Sequence, residues 1–360
     1  MKTKKGIVLR DGIIILVLFT MSVYLYYLVT AWGITDYLAE NAFKDYVTGP
    51  GVHLEALILS LSFGLLLAVV NAWSDGPRVR RLPFAYIILL KSLLYLLSLA
   101  FAWACVLLAF RLFLFTPAEL DSIIGSVTPR FLISSSVWLT TCILAINFVM
   151  EVRRKVGPGN LSALLTGYYR HPRIEDRIFL FLDLKASTTI AERLGPEKYS
   201  HLLRQCFYDL NDVVLTYRAQ IYQFVGDEVV LTWPNKDPDS PSRSLRAFFN
   251  FKKKLQIRKA YYEKMFGVVP IFRGGIDVGA VTATEVGDIK REIAYHGDPL
   301  NTAARLLELS KDYGHMLVIS GKMKAEISSS EEFIIEHQDE IRLRGKTERV
   351  AIYTVRHGKL

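Results

Sequence analysis

The stretch IFLFLD at residues 178–183 and the stretch YQFVGDEVVLTW at residues 222–233 decide the fold of this chain. The five apolar residues before Asp183 are typical of a strand that is covered on both faces. Gly226 and Asp227 separate two β-rich runs, which predicts a β-hairpin. If these strands are neighbours, Asp183 and Asp227 lie at one edge of the same sheet.

Two aspartates at one sheet edge can hold divalent cations, which prefer hard oxygen ligands. Two such ions can clamp the attacking and leaving oxygens of a phosphoryl transfer. Ordinary turn chemistry also places aspartate after a strand and in a Gly-Asp hairpin, so the spacing alone leaves the metal site open. The candidate metal ligands are Asp183 and Asp227.

Two further stretches carry polar groups that suit a phosphate ligand. A predicted helix begins with Ser187 and Thr188, where backbone N–H groups and hydroxyls can meet phosphate. In another helix Asn301 and Arg305 are four residues apart and share one face. Arg305 can bind phosphate oxygens through two parallel hydrogen bonds, and Asn301 can orient a ribose or ring oxygen. On that stretch alone, a helix start followed by a surface arginine is the simpler interpretation.

Composition separates an apolar first part of the chain from a mixed second part. Of the 360 residues 51% are apolar, and they concentrate in the first 150 positions. The net charge of +9 is explained by basic loops beside a membrane together with a site for a polyanionic ligand. No basic helix or aromatic platform stands out, so we expect no nucleic-acid partner. The three cysteines have neither metal-ligand nor disulfide spacing, which fits a cytosolic second part.

Four apolar stretches are long enough to cross a bilayer as helices. The first has a basic flank like that of a signal peptide, but no small-residue cleavage pattern follows it, so we expect an uncleaved helix. The predicted spans are Gly12–Trp32, Val52–Trp73, Phe84–Phe110 and Phe131–Met150. Together they predict an all-α four-helix transmembrane domain over residues 1–150, in contact with the lipid membrane.

Basic residues predict the orientation of these spans. The amino terminus, the loop Ser74–Pro83 and the segment after the fourth span are basic, whereas the loop Gly33–Gly51 carries three acidic residues against one lysine. The positive-inside rule therefore predicts a multi-pass protein of the inner or plasma membrane, with both termini and the second domain cytoplasmic. Lys91, near the cytoplasmic end of the third span, is expected to snorkel to the interface rather than to act inside the membrane.

Residues 151–176 are interpreted as a linker, in which a Gly-Pro-Gly triplet at residues 157–159 ends the preceding helix. The linker either tethers the next domain or sets how two copies of that domain face each other. Residues 177–360 form the second predicted domain.

Five stretches of the second domain together resemble the class III nucleotide cyclase catalytic domain, the adenylate and guanylate cyclase family. They occur in the order of the family and span nearly all of residues 177–355, so the set is far more specific than any one stretch. They read FLDLKASTTIAERLG, YQFVGDEVVLTW, GGIDVGAVTATEVG, KREIAYHGDPLNTAARL and LRGKTERVAIYTV. The resemblance implies an α+β catalytic domain with a ferredoxin-like, palm-type sheet and flanking helices.

The resemblance also implies an activity and a site. Members of the family convert a nucleoside triphosphate into a 3′,5′-cyclic nucleotide and pyrophosphate at a homodimer interface, using two Mg²⁺ or Mn²⁺ ions per active site. The metal-binding aspartates match Asp183 and Asp227, with the main-chain oxygen of Leu184 beside them. The asparagine and arginine that the partner subunit supplies match Asn301 and Arg305. Substrate contacts are expected from Lys185, Ala186, Ser187, Thr188, Gln223, Ala294 and Lys346.

The positions that read the base depart from the familiar pattern. In the family that this chain resembles, the familiar adenylate cyclases read adenine with a lysine four residues before the second metal aspartate and an aspartate or threonine seven residues before the asparagine. Here these positions are Gln223 and Ala294. The Gln223 amide can both donate and accept a hydrogen bond, whereas Ala294 can do neither. ATP is the favoured substrate, for intracellular signalling; GTP and a pyrimidine triphosphate are the alternatives.

A pseudocyclase, which binds nucleotide and signals by dimer rearrangement, is the non-enzymatic alternative. The presence of both aspartates together with Asn301 and Arg305 argues against it. Diguanylate cyclases also place acidic residues on a hairpin, but the VGDEVV hairpin lacks their GG-acidic-EF pattern.

Overall fold

The computed structural model describes residues 2–35, 50–74, 79, 82–109, 129–156, 163, 165–289, 291–312, 314, 316–327, 332–342 and 348–358. The chain divides into two compact units, one from Lys5 to Val156 and the other from Gly157 onward. In the described residues the first unit is helical, and the second is a mixed β-sheet with flanking helices. Four apolar helices followed by such a sheet are the fold class that the sequence predicted.

Four helices make up the described part of the first unit: α1 (Lys2–Thr35), α2 (Pro50–Ser74), α3 (Phe84–Ala109) and α4 (Pro129–Val156). Each contains a segment of 19 to 21 residues that is long and apolar enough to cross a membrane: Leu9–Val29, Ala56–Ser74, Phe84–Ala102 and Ile133–Arg153. The expectation of four apolar helices is confirmed. The predicted outer loops lie largely outside the described residues.

A small apolar core joins the four helices of this unit. Large apolar side chains elsewhere on the same helices are exposed, among them Trp73 at 80% and Phe101 at 73%. A helix that is apolar all round suits a lipid environment rather than water. The core side chains, each at most 1% exposed, include Ile15, Phe19, Leu67, Tyr95 and Ile143.

Lys91 does not reach an interface, and the expectation that it snorkels is wrong. Its side chain on α3 is 1% exposed, and its Nζ donates to Asn71 Oδ1 of α2 at 3.1 Å and to Glu151 Oε1 of α4 at 3.4 Å. A buried ammonium is tolerated when a carboxylate and further acceptors compensate its lost hydration. Glu151 was expected in the linker, but α4 continues to Val156 and keeps this carboxylate inside the bundle.

Two more polar contacts hold α4 to its neighbours near the same end. Asn147 Nδ2 donates to Ser92 Oγ of α3 at 2.9 Å, and both side chains are buried. Arg153 lies 3.4 Å from the carboxylate of Asp11 on α1. Side chains of α4 are therefore linked directly to α1 and α3 near this end, and to α2 through Lys91.

The second unit alternates strands and helices. Its described strands are β1 (Arg173–Leu184), β2 (Gln220–Val225), β3 (Glu228–Pro234), β4 (Phe272–Val286), β5 (Glu292–His296), β6 (Leu317–Ser320), β7 (Phe333–Ile341) and β8 (Val350–His357). Its described helices are α5 (Ser187–Thr216), α6 (Ser240–Ile257), α7 (Lys259–Phe266), α8 (Asp298–Asp312) and α9 (Gly321–Glu326).

The strands form one sheet in the order β2-β3-β1-β4-β6-β8-β7, and β5 pairs with the far end of β4. β1 is central and antiparallel to both β3 and β4, whereas β4 and β6 are parallel. Alternate residues of β1 enter two cores: Leu180 packs with residues of α5 and α6, and Phe179 packs with residues of α8. This two-sided burial explains the uninterrupted apolar run before Asp183.

Helix α8 lies unusually close to the sheet at Gly275 of β4. A Cβ atom at this position would lie 2.3 Å from the Ala303 carbonyl oxygen and 2.4 Å from the Leu307 nitrogen, which no side chain can accommodate. Glycine is therefore required here. The close approach fixes the height of α8, which carries Asn301 and Arg305, above the sheet.

Candidate active site

The structure places Asp183 and Asp227 together at one edge of the sheet. Asp183 is the last residue but one of β1, and Asp227 lies in the turn between β2 and β3. Pairing of Leu182 with Val229 brings that turn beside the end of β1. Gly226 has a φ of 62°, which a residue with a side chain rarely adopts, and so allows the tight turn.

The charge of Asp227 acts on its neighbour Asp183. Burial, followed by the neighbouring charge of Asp227, raises the pKa of Asp183 to about 6. Burial and the charges of Asp183 and Asp227 also raise the pKa of Glu228. Asp227 Oδ2 is buried and has no hydrogen-bond partner among the described residues. Negative charge is thus concentrated at this edge and incompletely compensated by protein donors, which favours a bound cation.

The donor set fits a hard divalent ion that arrives with its substrate. Within the described residues, no group of three or more His, Cys, Asp or Glu side chains is placed to hold a metal ion. Magnesium is commonly held by one or two carboxylates plus substrate phosphates, so a pair of aspartates is sufficient. Since the ligands must be ionised, metal binding at a pH below the pKa of Asp183 would release a proton.

Helix α5 begins directly after this edge and presents an uncapped N-terminus. Ala186, the residue before the helix, has a φ of 56°, and no side chain caps the first turn. The N–H groups of Ser187 and Thr188 have no intrahelical acceptor because they lie in the first turn. The N–H of Lys185 donates to the Ile271 carbonyl at 2.8 Å, so a substrate contact from Lys185 would have to come from its side chain.

Three further side chains, which the sequence motifs did not indicate, also belong to this site. The positive charges of Lys311 and Arg273 oppose the rise in the pKa of Asp183. Arg273 lies directly opposite Asp183 in the register of β4 against β1. The Arg273 Nε is buried without a hydrogen-bond partner in the described part of the chain. Burial and the charge of Asp227 raise the pKa of Tyr199, which also interacts with Ser187. An arginine within the otherwise apolar and glycine-rich start of β4 was the available signal.

Of Asn301 and Arg305, the asparagine is not brought to the aspartates within one copy of the chain. Both side chains lie on α8, where Asn301 is exposed and Arg305 is partly exposed. Lys311, which acts on Asp183, is ten residues beyond Asn301, so the two lie about 15 Å apart along the helix axis at 1.5 Å per residue. The asparagine is therefore at the end of α8 remote from the metal-binding edge.

The remaining predicted contacts are spread over the unit. Gln223 is exposed on β2, and Ala294 is partly buried on β5, opposite Thr284 of β4. The side chain of Leu184 is buried at the end of β1. Lys346 lies outside the described residues.

Paired carboxylates at a sheet edge, beside an uncapped helix N-terminus, define a site suited to a divalent cation and a phosphate-bearing ligand. Residues 170–357 match the family model described as the adenylate and guanylate cyclase catalytic domain. Because the match covers more than half of the 360 residues, the chain belongs to this family.

Curated relatives carry adenylate cyclase names. Adenylate cyclase 2 of Rhizobium meliloti (strain 1021) is 33% identical over 213 residues, which cover 59% of each protein. Adenylate cyclase 1 of the same organism is 30% identical over 159 residues, which cover 43% of this chain and 24% of that relative. The matches thus span less than two thirds of either relative. A solved bacterial light-regulated adenylyl cyclase superposes with a TM-score of 0.51 at 19% identity over 60% of this chain and 64% of that one, a likeness of fold.

Proposed function

We propose that this protein is a membrane-bound adenylate cyclase that converts ATP into 3′,5′-cyclic AMP and pyrophosphate for intracellular signalling. The observation that carries the proposal is the pair of half-buried carboxylates, Asp183 and Asp227, beside the N-terminus of α5. In this proposal residues 1–150 anchor the protein, residues 151–176 couple the two parts, and residues 177–360 are catalytic.

Asp183 and Asp227, with the main-chain oxygen of Leu184, are proposed to hold two Mg²⁺ or Mn²⁺ ions. Such ions would polarise the ribose 3′-oxygen for attack on the α-phosphate and neutralise triphosphate charge. Incomplete hydrogen bonding of Asp227 Oδ2 leaves this oxygen available as a ligand. The positive charge of the partly buried Arg273 lowers the pKa of Asp183 and so favours its ionised form.

The start of α5 is proposed to bind the phosphates. The N–H groups of Ala186, Ser187 and Thr188 lie at the N-terminus of α5, whose first segment runs to a kink at Gly195, and an anion is stabilised at such an N-terminus. Lys185 is exposed at the same turn, so its side chain rather than its N–H group supplies the contact in this proposal. Lys346, which precedes β8 in sequence, is proposed to bind the triphosphate.

The second half of each site is proposed to come from another copy of the chain. Asn301 and Arg305 both lie on the face of α8 that is not packed on the sheet, and Asn301 is at the helix end remote from the aspartates of its own chain. In a symmetric dimer, Asn301 of the second copy orients the ribose and Arg305 of that copy binds the charge that develops on the α-phosphate. The protein is therefore expected to act as a homodimer.

The preference for ATP is supported by the adenylate cyclase names of the curated relatives. Gln223 and Ala294 leave a second candidate, a guanylate or pyrimidine nucleotide cyclase, because they replace the lysine and the aspartate or threonine that are familiar at an adenine site. The full-length chain in detergent, supplied with Mg²⁺ or Mn²⁺ and each of four nucleoside triphosphates, should release 3′,5′-cyclic AMP fastest. The products are separated by chromatography. If no cyclic nucleotide is found, the remaining interpretation is a pseudocyclase that binds nucleotide without converting it.

Changing Gln223 to lysine together with Ala294 to aspartate is expected to raise selectivity for ATP over GTP by about tenfold or more, since a site built to hydrogen-bond one base rejects another. Both positions have room for the new side chains because Gln223 is exposed and Ala294 is only partly buried. The measurement is the ratio of kcat/KM for the two nucleotides. An unchanged ratio would mean that the base is read elsewhere.

Labelling of single cysteines tests the proposed orientation. In a background where Cys105, Cys142 and Cys206 are serine, Asn41→Cys should react with an impermeant maleimide on intact cells. Pro77→Cys should react only after the membrane is opened, because its loop is basic and therefore cytoplasmic. The reverse pattern would overturn the four-span orientation.

A further inference from the structure

Two tyrosines connect the strands that carry Gln223 and Ala294. The register of β2 against β3 shifts between Ile221 and Gln223, so Tyr222 is the extra residue of a β-bulge. Bulges redirect side chains. Here the rings of Tyr222 and Tyr295 pack edge to face with their centroids 5.1 Å apart.

The contact between these tyrosines crosses the face of the sheet. In strand order β3, β1 and β4 separate β2 from β5, so no backbone ladder joins them. The N–H of Tyr295 donates to the Tyr222 hydroxyl at 3.4 Å, and Phe179 of β1 packs against both rings. The tyrosine pair thus provides a direct side-chain connection between the two strands, apart from the ladders that run through the sheet.

A buried arginine, Arg177, contacts both Tyr295 and the strands β2 and β3. Arg177 is 2% exposed, and its guanidinium lies 4.6 Å from the centroid of the Tyr295 ring. The same guanidinium donates to Gln220 on β2, to Thr232 on β3 at 3.1 Å and to Glu175 at 2.7 Å. A desolvated cation on an aromatic face contributes more than an exposed one. Arg177 therefore holds Tyr295 against the β2–β3 hairpin.

Each tyrosine is the immediate neighbour of a candidate base-reading position. Tyr222 precedes Gln223, and Tyr295 follows Ala294. On β5 successive side chains point to opposite faces, so Tyr295 can be anchored on one face while Ala294 meets a ligand on the other. At the bulge of β2, Tyr222 is partly buried and Gln223 is exposed, so the tyrosine can be held by packing while the glutamine stays accessible. The distance between the base-reading positions consequently depends on the distance between the two tyrosines.

We propose that Tyr222 and Tyr295, held by Arg177, are positioning residues that set the spacing of Gln223 and Ala294 and thereby the selectivity for the purine base. This inference rests on the proposed function as a nucleotide cyclase. None of the three residues touches the reacting atoms; they act through the two strands.

The test compares tyrosine variants of the full-length chain. Tyr222→Phe removes only the hydroxyl that accepts the Tyr295 N–H, and Tyr295→Leu removes the ring beneath Arg177. Tyr222→Phe should change the ATP-to-GTP ratio of kcat/KM by about three- to tenfold, the effect of one hydrogen bond, and Tyr295→Leu by more. Tyr295→Phe keeps the ring and the N–H, so it should retain the wild-type ratio.

Tyr262→Phe is the matched control. The Tyr262 hydroxyl is buried and donates to Asp209 Oδ2 at 2.6 Å, in the same unit but between α5 and α7. Its removal should lower the thermal midpoint without changing the ratio. A purely structural role for Tyr222 would produce the same behaviour as this control.

Competition of ATP and GTP against a fluorescent ATP analogue gives a second readout that does not depend on turnover. If the wild type forms no cyclic nucleotide, the proposed function fails, and the binding ratio still decides the role of the tyrosines. Wild-type ratios in both assays for folded Tyr222→Phe and Tyr295→Leu would overturn the inference. Should Tyr295→Leu not fold, Tyr222→Phe decides alone, because it deletes a single oxygen atom.

Discussion

Asparagine in place of Asp183 or Asp227 is expected to lower cyclic nucleotide formation by about 1,000-fold, because a catalytic metal ion contributes several kcal/mol to transition-state stabilisation. The substitution keeps the size of the side chain and removes a charge from a half-buried edge where the other carboxylate repels it. The fold should therefore survive. Turnover at saturating Mn²⁺ and the thermal midpoint of the full-length chain are the measurements.

The raised pKa of Asp183 predicts whether Asp183→Asn stabilises or destabilises the folded protein. Its ordinary value is 3.8, and burial together with Asp227 raises it to about 6 in the folded protein. An acid with a higher pKa in the folded state is destabilising when ionised, so the penalty grows from about pH 4 and is complete above about pH 6. Asp183→Asn should raise the midpoint of metal-free protein at neutral pH, and this gain should shrink as the pH falls below 6.

Asp212→Asn provides the control for these variants. Asp212 is an exposed carboxylate on α5 that pairs with Lys254. Its substitution should leave turnover near the wild-type level. Added Mn²⁺ should raise the midpoint of wild type and of Asp212→Asn but not of Asp183→Asn, since only a folded state with the site gains binding energy. Near wild-type turnover of either metal-site variant would exclude the two-metal assignment.

The metal-binding edge was predictable because its signals are local in sequence. The apolar run that ends at Asp183 and the Gly226-Asp227 turn each encode one strand end, and their meeting requires only that β1 and β3 are neighbours. The role of Arg273 was not predictable in the same way. It depends on the register of β1 against β4, two strands about 90 residues apart in sequence, which periodicity does not encode.

The environment of Lys91 in the helical unit also depends on residues that are distant in sequence. A lysine in an apolar helix can extend to an interface or pair inside the bundle, and both outcomes share one local sequence. The partners that decide between them, Asn71 and Glu151, lie 20 and 60 residues away. The bulge at Tyr222 is a comparable case, because a single inserted residue interrupts the two-residue period of β2.

A second large effect is expected when two inactive variants are combined. Asp183→Ala removes a metal ligand, and Asn301→Ala removes a group that we place in the opposite half of the site. Each variant alone should be inactive, because both sites of its dimer carry the defect. In a mixed dimer one site inherits both defects and the other inherits neither.

The two variants are co-expressed with different affinity tags, and the cyclase activity of the mixed dimers is measured. The two tags isolate mixed dimers even if the membrane helices fix the pairing early. Random pairing gives about half mixed dimers with one intact site of two, so roughly a quarter of wild-type activity is expected by symmetry. Mixed dimers isolated through both tags should have about half the wild-type turnover. Mixed dimers that form but stay as inactive as the separate variants would contradict a site shared between two copies of the chain.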